Sequence, residues 1–318
     1  MDEQQKRREA EKNMQERFRD NPCRGSVLGM TEEGNPIQLA WIMGRSPNSQ
    51  NRVYVVEGDI LRTLPADPSK VEDPSLVIYN AMRHAQYDPA DPEGLLLHIV
   101  SNGDQTDTVY GRLSQHGSET VTNIFFSALD ASYCEPDAPT FTPRITGLIW
   151  TADPATARFS ILAPFQKYKD VWKATEAELY SKDITRQSFE NVGPSKKDAS
   201  TAFNAVVGQR CSLDHTKFPT DRSRYKETMT PGLGYCVTTY SPGSQELPSF
   251  RGPPFPVPIR GTLEDVMQTF WQALEPEWRV ALAGKEIKQD SYRFAQPINR
   301  FERVGVSEND KRTARKIW

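Results

Sequence analysis

Residues 101–108, Ser-Asn-Gly-Asp-Gln-Thr-Asp-Thr, are all polar or Gly, and they follow an apolar, strand-like run over 95–100. Asn-Gly and Gly-Asp favour a tight turn with positive φ. A turn needs the Gly but not a further series of hydroxyls, amides and carboxylates. The stretch therefore reads as a ligand-contacting loop rather than a plain hairpin, with Asn102, Gly103, Asp107 and Thr108 as candidate contacts.

Three more segments carry groups able to do chemistry. In residues 44–52, Arg45 and Arg52 bracket Ser46 and Asn51 between two β runs. Arg makes forked, charge-assisted hydrogen bonds to phosphate or carboxylate, and Ser can complete the cradle. Arg24, at the start of the first β run, adds a third cation. Tyr79, Asn80 and Arg83 follow the apolar run 75–79 and place a phenol, an amide and a guanidinium at one rim. Tyr can stack on a flat heterocycle or donate a proton, and Asn can read a carboxamide in both directions. In the Pro-rich segment 133–145, Glu135 or Asp137 would act as general acid or base if desolvated, and Arg144 is placed to anchor a ligand or pair with that acid. Each motif also has a plain structural reading: a solvated hairpin, a packed Tyr, a loop acid.

The elements that must position these groups are mostly β. Short runs over 26–30 and 36–43 flank a hairpin turn at 33–35, and 52–57, 75–79, 95–100, 144–150, 159–163 and 235–240 continue the pattern. Helical spacing appears over 119–129, across most of 165–210, and over 263–274, whose apolar stripe is core packing. Prolines at 242, 248, 253, 254, 256 and 258 exclude regular helix or a central strand from 241–258. Residues 1–20 favour helix but lack a wide apolar face, so they read as a solvated helical arm. The expected class is α+β, with two sheets and helices outside.

Composition bounds the rest. A chain of 318 residues can bury a substantial core. A net charge of −3 gives no global basic field, so nucleic acid is not an expected partner and any anion site must be local. No apolar run is long enough to span a membrane, and the charged N-terminus is unlike a secretory leader, so a cytoplasmic location is expected. Four scattered cysteines and four scattered histidines give no metal-ligand spacing, and there is no glycine-rich phosphate loop or dinucleotide fingerprint.

In order, the strand beginning Cys-Arg-Gly, then GRSPNSQNR, YNAMR, VSNGDQTDT and YCEPDAPTFTPRI resemble the archaeal-type inosine monophosphate (IMP) cyclohydrolase family and its longer bacterial relatives. The resemblance covers about residues 21–285, between the arm of 1–20 and a polar extension over 286–318. The chain departs from the family pattern at Cys23, where Gly is common, and at Cys134. The resemblance implies a four-layer αββα sandwich similar to N-terminal-nucleophile hydrolases. It implies closure of 5-formamidoimidazole-4-carboxamide ribotide to IMP with loss of water, the last step of purine synthesis, without a metal or organic cofactor. On that reading Arg45 and Arg52, with Ser46, bind the phosphate, and Tyr79, Asn80 and Asn102 contact the carboxamide and imidazole. Arg24, Asn51, Arg83 and Gly103 are further substrate-binding candidates, Asp107 and Thr108 orient the formyl group or leaving water, and Glu135 moves protons with Arg144 fixing its ionisation. Outer helices would offer surfaces for a homo-oligomer. Two alternatives stand beside it: an amide hydrolase with Cys23 unmasked as an N-terminal nucleophile, and a non-catalytic purine-ribotide-binding protein.

Overall fold

The strands at 25–30 and 36–43 are buried at every position, so both of their faces must be covered. The computed structural model, which describes residues 2–71, 77–86, 95–113, 120–192, 196–241, 247–288 and 291–304, shows what covers them. The chain runs α1 (Glu3–Glu16), β1 (Gly25–Met30), β2 (Pro36–Met43), a one-turn α2 (Pro47–Gln50), β3 (Val53–Glu57) and β4 (Ile60–Leu64). It continues through β5 (Tyr79–Gln86), β6 (Leu96–Ser101), α3 (Gln105–Leu113), α4 (Val121–Ala128), β7 (Arg144–Trp150) and β8 (Asp153–Pro164). Then come α5 (Gln166–Ser181), α6 (Lys196–Arg210), β9 (Thr220–Thr228), β10 (Leu233–Thr238) and β11 (Phe255–Pro258). It closes with α7 (Leu263–Ala273), β12 (Arg279–Lys288), β13 (Ser291–Phe294) and β14 (Ile298–Asn299).

These strands form two antiparallel sheets. The first has the order β11-β10-β1-β2-β12-β13, with β14 also on β12; the second is a meander from β3 to β9. β1, β2 and β12 lie against β3, β6, β7 and β8, and one apolar core containing Leu28, Ile42, Val100, Ile145 and Phe159 spans the two sheets. The sheets approach closely at Gly147, where a Cβ would come within 3.1 Å of the Leu28 and Val100 methyls.

On its other face the first sheet meets α7, which buries Leu263, Val266, Met267 and Phe270 as the apolar stripe predicts. Gly25 stands opposite Trp41 because the indole lies flat across it; a Cβ there would sit 2.0 Å from the ring. The second sheet carries α3 and α4, whose Val109, Leu113, Ile124 and Phe125 pack on Leu97, Ile99 and Leu148. Helices α5 and α6 bury Trp172, Leu179, Phe203 and Val207 around Phe141 and Phe218.

The α+β class is thus observed, and several local expectations are corrected. Residues 1–20 are not a solvated arm. Ala10 and Phe18 are buried, Asn13 donates to the Pro256 carbonyl at 2.9 Å, and Phe18 packs edge-on to Trp41 and Phe270 at 5.8 and 5.5 Å. β11 contains two prolines because it is an edge strand, and α1 covers that edge. The boundary expected at 285/286 falls within β12, and the sheet continues into β13 and β14. Part of the 75–79 run lies outside the described residues, and the observed strand begins at Tyr79. The polar β9 escaped notice because its exposed alternation carries charged side chains, as an edge strand should.

Replacing Phe18 by Ala should cost about 3–5 kcal/mol, as for a core aromatic. A residue on a solvated arm would cost about 0.5 kcal/mol or less. Urea unfolding of F18A measures the difference.

Candidate functional site

β1 and β5 start, and β6 ends, at one end of the sandwich, where the irregular segment 133–143 crosses them. Arg24, just before β1, meets Glu135 in a two-pronged ion pair, Nη1 to Oε1 and Nη2 to Oε2, both at 2.8 Å. The side chains keep only 12% and 15% of their surface exposed, so the pair is desolvated enough to be strong. Burial works against the Arg24 charge, but Glu135 outweighs it and the guanidinium is held above its ordinary range. Nη1 also donates to the Asn102 carbonyl at 3.2 Å.

Asn102 positions that carbonyl. Its side-chain oxygen accepts from Ile145 N–H at 2.9 Å and its amide donates to the Pro143 carbonyl at 3.0 Å, tying the end of β6 to the start of β7. The neighbouring polar residues are largely occupied with each other. Ser101 Oγ donates to the Gly103 carbonyl at 2.7 Å and lies 2.6 Å from Thr106 Oγ1. The second half of the run read as a ligand loop, 105–108, is the first turn of α3, a helix that its polarity concealed.

Behind Glu135 lies a hydrogen-bonded chain. Asp137 accepts from Thr142 N–H at 2.6 Å and from Thr142 Oγ1 at 2.5 Å, and that hydroxyl is 2.6 Å from Tyr240 OH. Burial, with Glu135 nearby, raises the Asp137 pKa to about 7 against the opposing Thr142 bonds. The turn that returns Thr142 to Asp137 places Phe141 at φ 46. That conformation is unfavourable for a bulky residue, and it is held by stacking on Phe218 at 3.7 Å and edge contact with Trp172 at 5.0 Å. The lobe of α5 thereby sets the geometry of the acid segment.

Two groups remain without partners. Among the described residues Arg52 has no ion pair, and its Nε is buried without a hydrogen bond. Burial first, and Arg24 second, lower its pKa. The Tyr79 hydroxyl is likewise buried and unpartnered. Tyr54 belongs to the same electrostatic neighbourhood, with burial and Tyr79 raising its pKa against Arg24 and Arg52. Two cations and two phenols thus share a small buried region with Glu135 and Asp137.

The remaining candidates are placed elsewhere. Arg45 and Ser46 are exposed; Ser46 caps α2, accepting from Ser49 N–H at 3.2 Å. Asn51 exchanges hydrogen bonds with the backbone of Asp67 at 2.7 and 2.9 Å. Strand alternation separates Tyr79 from Asn80: Tyr79 faces the inter-sheet core, while Asn80 donates to Asp107 at 2.9 and 3.0 Å. Arg83 joins that outer network at 2.6 Å from Asp107 and stacks 3.6 Å over Tyr110. Thr108 is exposed on α3. Arg144 pairs with Asp104, not with Glu135, because Ile145 takes the inward position on β7. The expected roles of Asp107, Thr108 and Arg144 at one acid centre are therefore corrected. Tyr54, Thr142 and Tyr240 were missed; Tyr54 reads as an ordinary strand aromatic, and Tyr240 lies far along the chain from any motif. Asp137 was legible as a second acid of its segment.

Among the described residues no group of three or more His, Cys, Asp or Glu could hold a metal ion, and no helix is long and apolar enough to cross a membrane.

Guanidiniums, phenols and carboxylates thus gather at one end of a two-sheet α+β fold. Residues 22–217 match the family model described as IMP cyclohydrolase-like protein, well over half the chain, and the protein belongs to that family. No curated protein matches the chain. The match ends before Tyr240, so the relay's last hydroxyl lies beyond the matched segment.

A carboxyl whose pKa is higher folded than unfolded binds its proton more tightly in the folded state. For Asp137 the resulting stability is complete below about 3.8 and is lost as pH rises through about 7. The protein should therefore lose on the order of a few kcal/mol across that window, and D137N should flatten the loss. Urea midpoints measured from acid to neutral pH test this.

Proposed function

We propose that this protein closes the purine ring of 5-formamidoimidazole-4-carboxamide ribotide, giving IMP and water. The observation that carries the reading is the Arg24–Glu135 pair standing beside the unpartnered Arg52 and Tyr79, in a chain of the IMP cyclohydrolase-like family. The two face-to-face sheets with helices on their outer sides support a four-layer αββα architecture similar to N-terminal-nucleophile hydrolases. A cytoplasmic location and homo-oligomeric assembly belong to the same reading.

The carboxamide nitrogen is a poor nucleophile because its lone pair is delocalised into the carbonyl. It must be held against the formyl carbon while an oxyanion develops there. Holding reacting groups in the attacking geometry supplies roughly 7–11 kcal/mol in favourable cases. A donor aimed at the developing oxyanion adds about 3–4 kcal/mol. In this mechanism Arg52, with Arg45 at the rim, grips the ribotide phosphate, which supplies the counter-charge that Arg52 lacks. Tyr79 donates to the formyl oxygen. Glu135, its orientation set by Arg24, takes the proton from the attacking nitrogen. That proton passes to the formyl oxygen, making it a hydroxyl. Asp137, poised near neutrality, gives a second proton through Thr142 to this hydroxyl, which leaves as water, and takes back the proton of the formamide nitrogen as its lone pair closes the C=N bond.

The hydrolase alternative finds less support. Cys23 is 1% exposed, and burial pushes its thiol up to about 12, the wrong direction for a nucleophilic thiolate. A non-catalytic ribotide-binding protein would keep the same pocket.

Mixing the protein with the formylated ribotide should produce the purine absorbance at enzymatic rates; tight ribotide binding by calorimetry without product would leave the binding protein instead. E135Q should lower kcat by about 10²–10⁴-fold with KM little changed. R52M should instead raise KM about ten- to a hundredfold, the loss of a charge-assisted contact. Unchanged turnover in E135Q removes Glu135 from the chemistry.

A further inference from the structure

A second polar cluster lies between the sheets, apart from the residues just described. Lys285 on β12 is fully buried, and its Nζ has no hydrogen-bond partner among the described residues. It stands opposite Gln38 of β2 in the first sheet, and from the second sheet His84 and His98, paired across β5 and β6, approach the same place. All converge on one ring: Tyr292 lies 4.3 Å from Lys285 Nζ, 4.6 Å from the His84 ring and 5.5 Å from the His98 ring. His98 is fully buried with neither ring nitrogen hydrogen-bonded, and the Gln38 Oε1 and His84 Nδ1 atoms are equally unpartnered.

Contact with the faces of Tyr292 and Phe294 compensates a buried ammonium only weakly. The titratable groups facing Lys285 are His84, His98 and Tyr292, with Asp59 more remote, 3.7 Å from His84 at the surface. Burial lowers the Lys285 pKa to about 7, with only Asp59 opposing, and lowers both histidines as well. Near neutrality about half of the amine is therefore uncharged, rising above that pH, beside two imidazoles each carrying one N–H and one free amide oxygen.

We propose that Lys285 is a carbamylation site, at which its amine takes up carbon dioxide between the two sheets. The amine lone pair bonds to the carbon of CO₂, one C–O π pair moves to oxygen, and the nitrogen loses one proton to solvent by way of His84. Carbon dioxide is small and apolar enough to enter a packed interior, and it reacts only with an unprotonated amine. The product complements the cluster: its carboxylate accepts from His98 and His84, and its N–H donates to Gln38 Oε1. A carbamate here would add side-chain hydrogen bonds to the one that already joins the sheets at this place, from Gln38 Nε2 to the His98 carbonyl at 2.9 Å.

The test uses the full chain equilibrated with isotopically labelled bicarbonate at about pH 8, above the titration of Lys285. Carbamates are observed by carbon NMR and then trapped by O-alkylation and located by peptide mass. The expected result is a labelled carbamate on Lys285, more than about tenfold above any lysine of ordinary pKa, and lost in K285M. An adduct absent from Lys285 in the trapped wild-type protein overturns the proposal, as does a resonance unchanged in K285M. The trapping arm needs no variant, so a folding defect in K285M cannot obscure the answer, and neither arm depends on the proposed ring closure.

Discussion

A buried guanidinium and carboxylate that must satisfy each other organise one end of this molecule. Arg24 belongs to the first sheet, Glu135 to the segment that α5 and α6 hold in place, and the Asn102 carbonyl to the second sheet. Desolvating two charges costs several kcal/mol each, and only close two-pronged geometry recovers it. The pair therefore tolerates little displacement of any of the three parts. That requirement gives meaning to details otherwise ornamental: the Asn102 side chain clasping 143–145, and the left-handed Phe141 wedged between aromatic rings.

Pairing at the centre leaves charge over at the margin. Glu135 is committed to Arg24, while the neighbouring Arg52 is half-buried beside that second cation and has no ion pair of its own among the described residues. Such an arrangement is unfavourable by itself, and the ribotide phosphate of the proposed reaction would supply the missing counter-charge. Asp137 sits on the other side of the balance. Burial and Glu135 favour its proton while Thr142 favours its charge, leaving it near neutrality where transfer in either direction is least costly.

The same sandwich contains two kinds of unsatisfied interior. At one end the unpartnered atoms, Arg52 Nε and Tyr79 OH, lie beside fixed charges. Between the sheets, around Tyr292, they are neutral or neutralised groups, because no carboxylate bonds to Lys285 among the described residues. The first kind would stabilise the charge that the proposed substrate carries. The second can acquire charge only by reaction or protonation.

Much was legible in the residues themselves. Alternation and turn chemistry located the hairpin of β1 and β2, the strand β7 and the helix α7, because those signals are local: side-chain period, Gly at the turn, an apolar stripe. The ordered motifs pointed to the family, and the Pro-rich segment was read as the place of a candidate acid. Local reading could not show which face each side chain takes or which distant group it meets. Tyr79 and Asn80 are adjacent in sequence yet face opposite sides of a sheet; Glu135 found Arg24 rather than Arg144; Tyr240 completed a chain begun at Asp137. Strand pairing and sheet packing decide those partnerships, since hydrogen bonds and ion pairs depend on ångström distances that sequence separation does not encode.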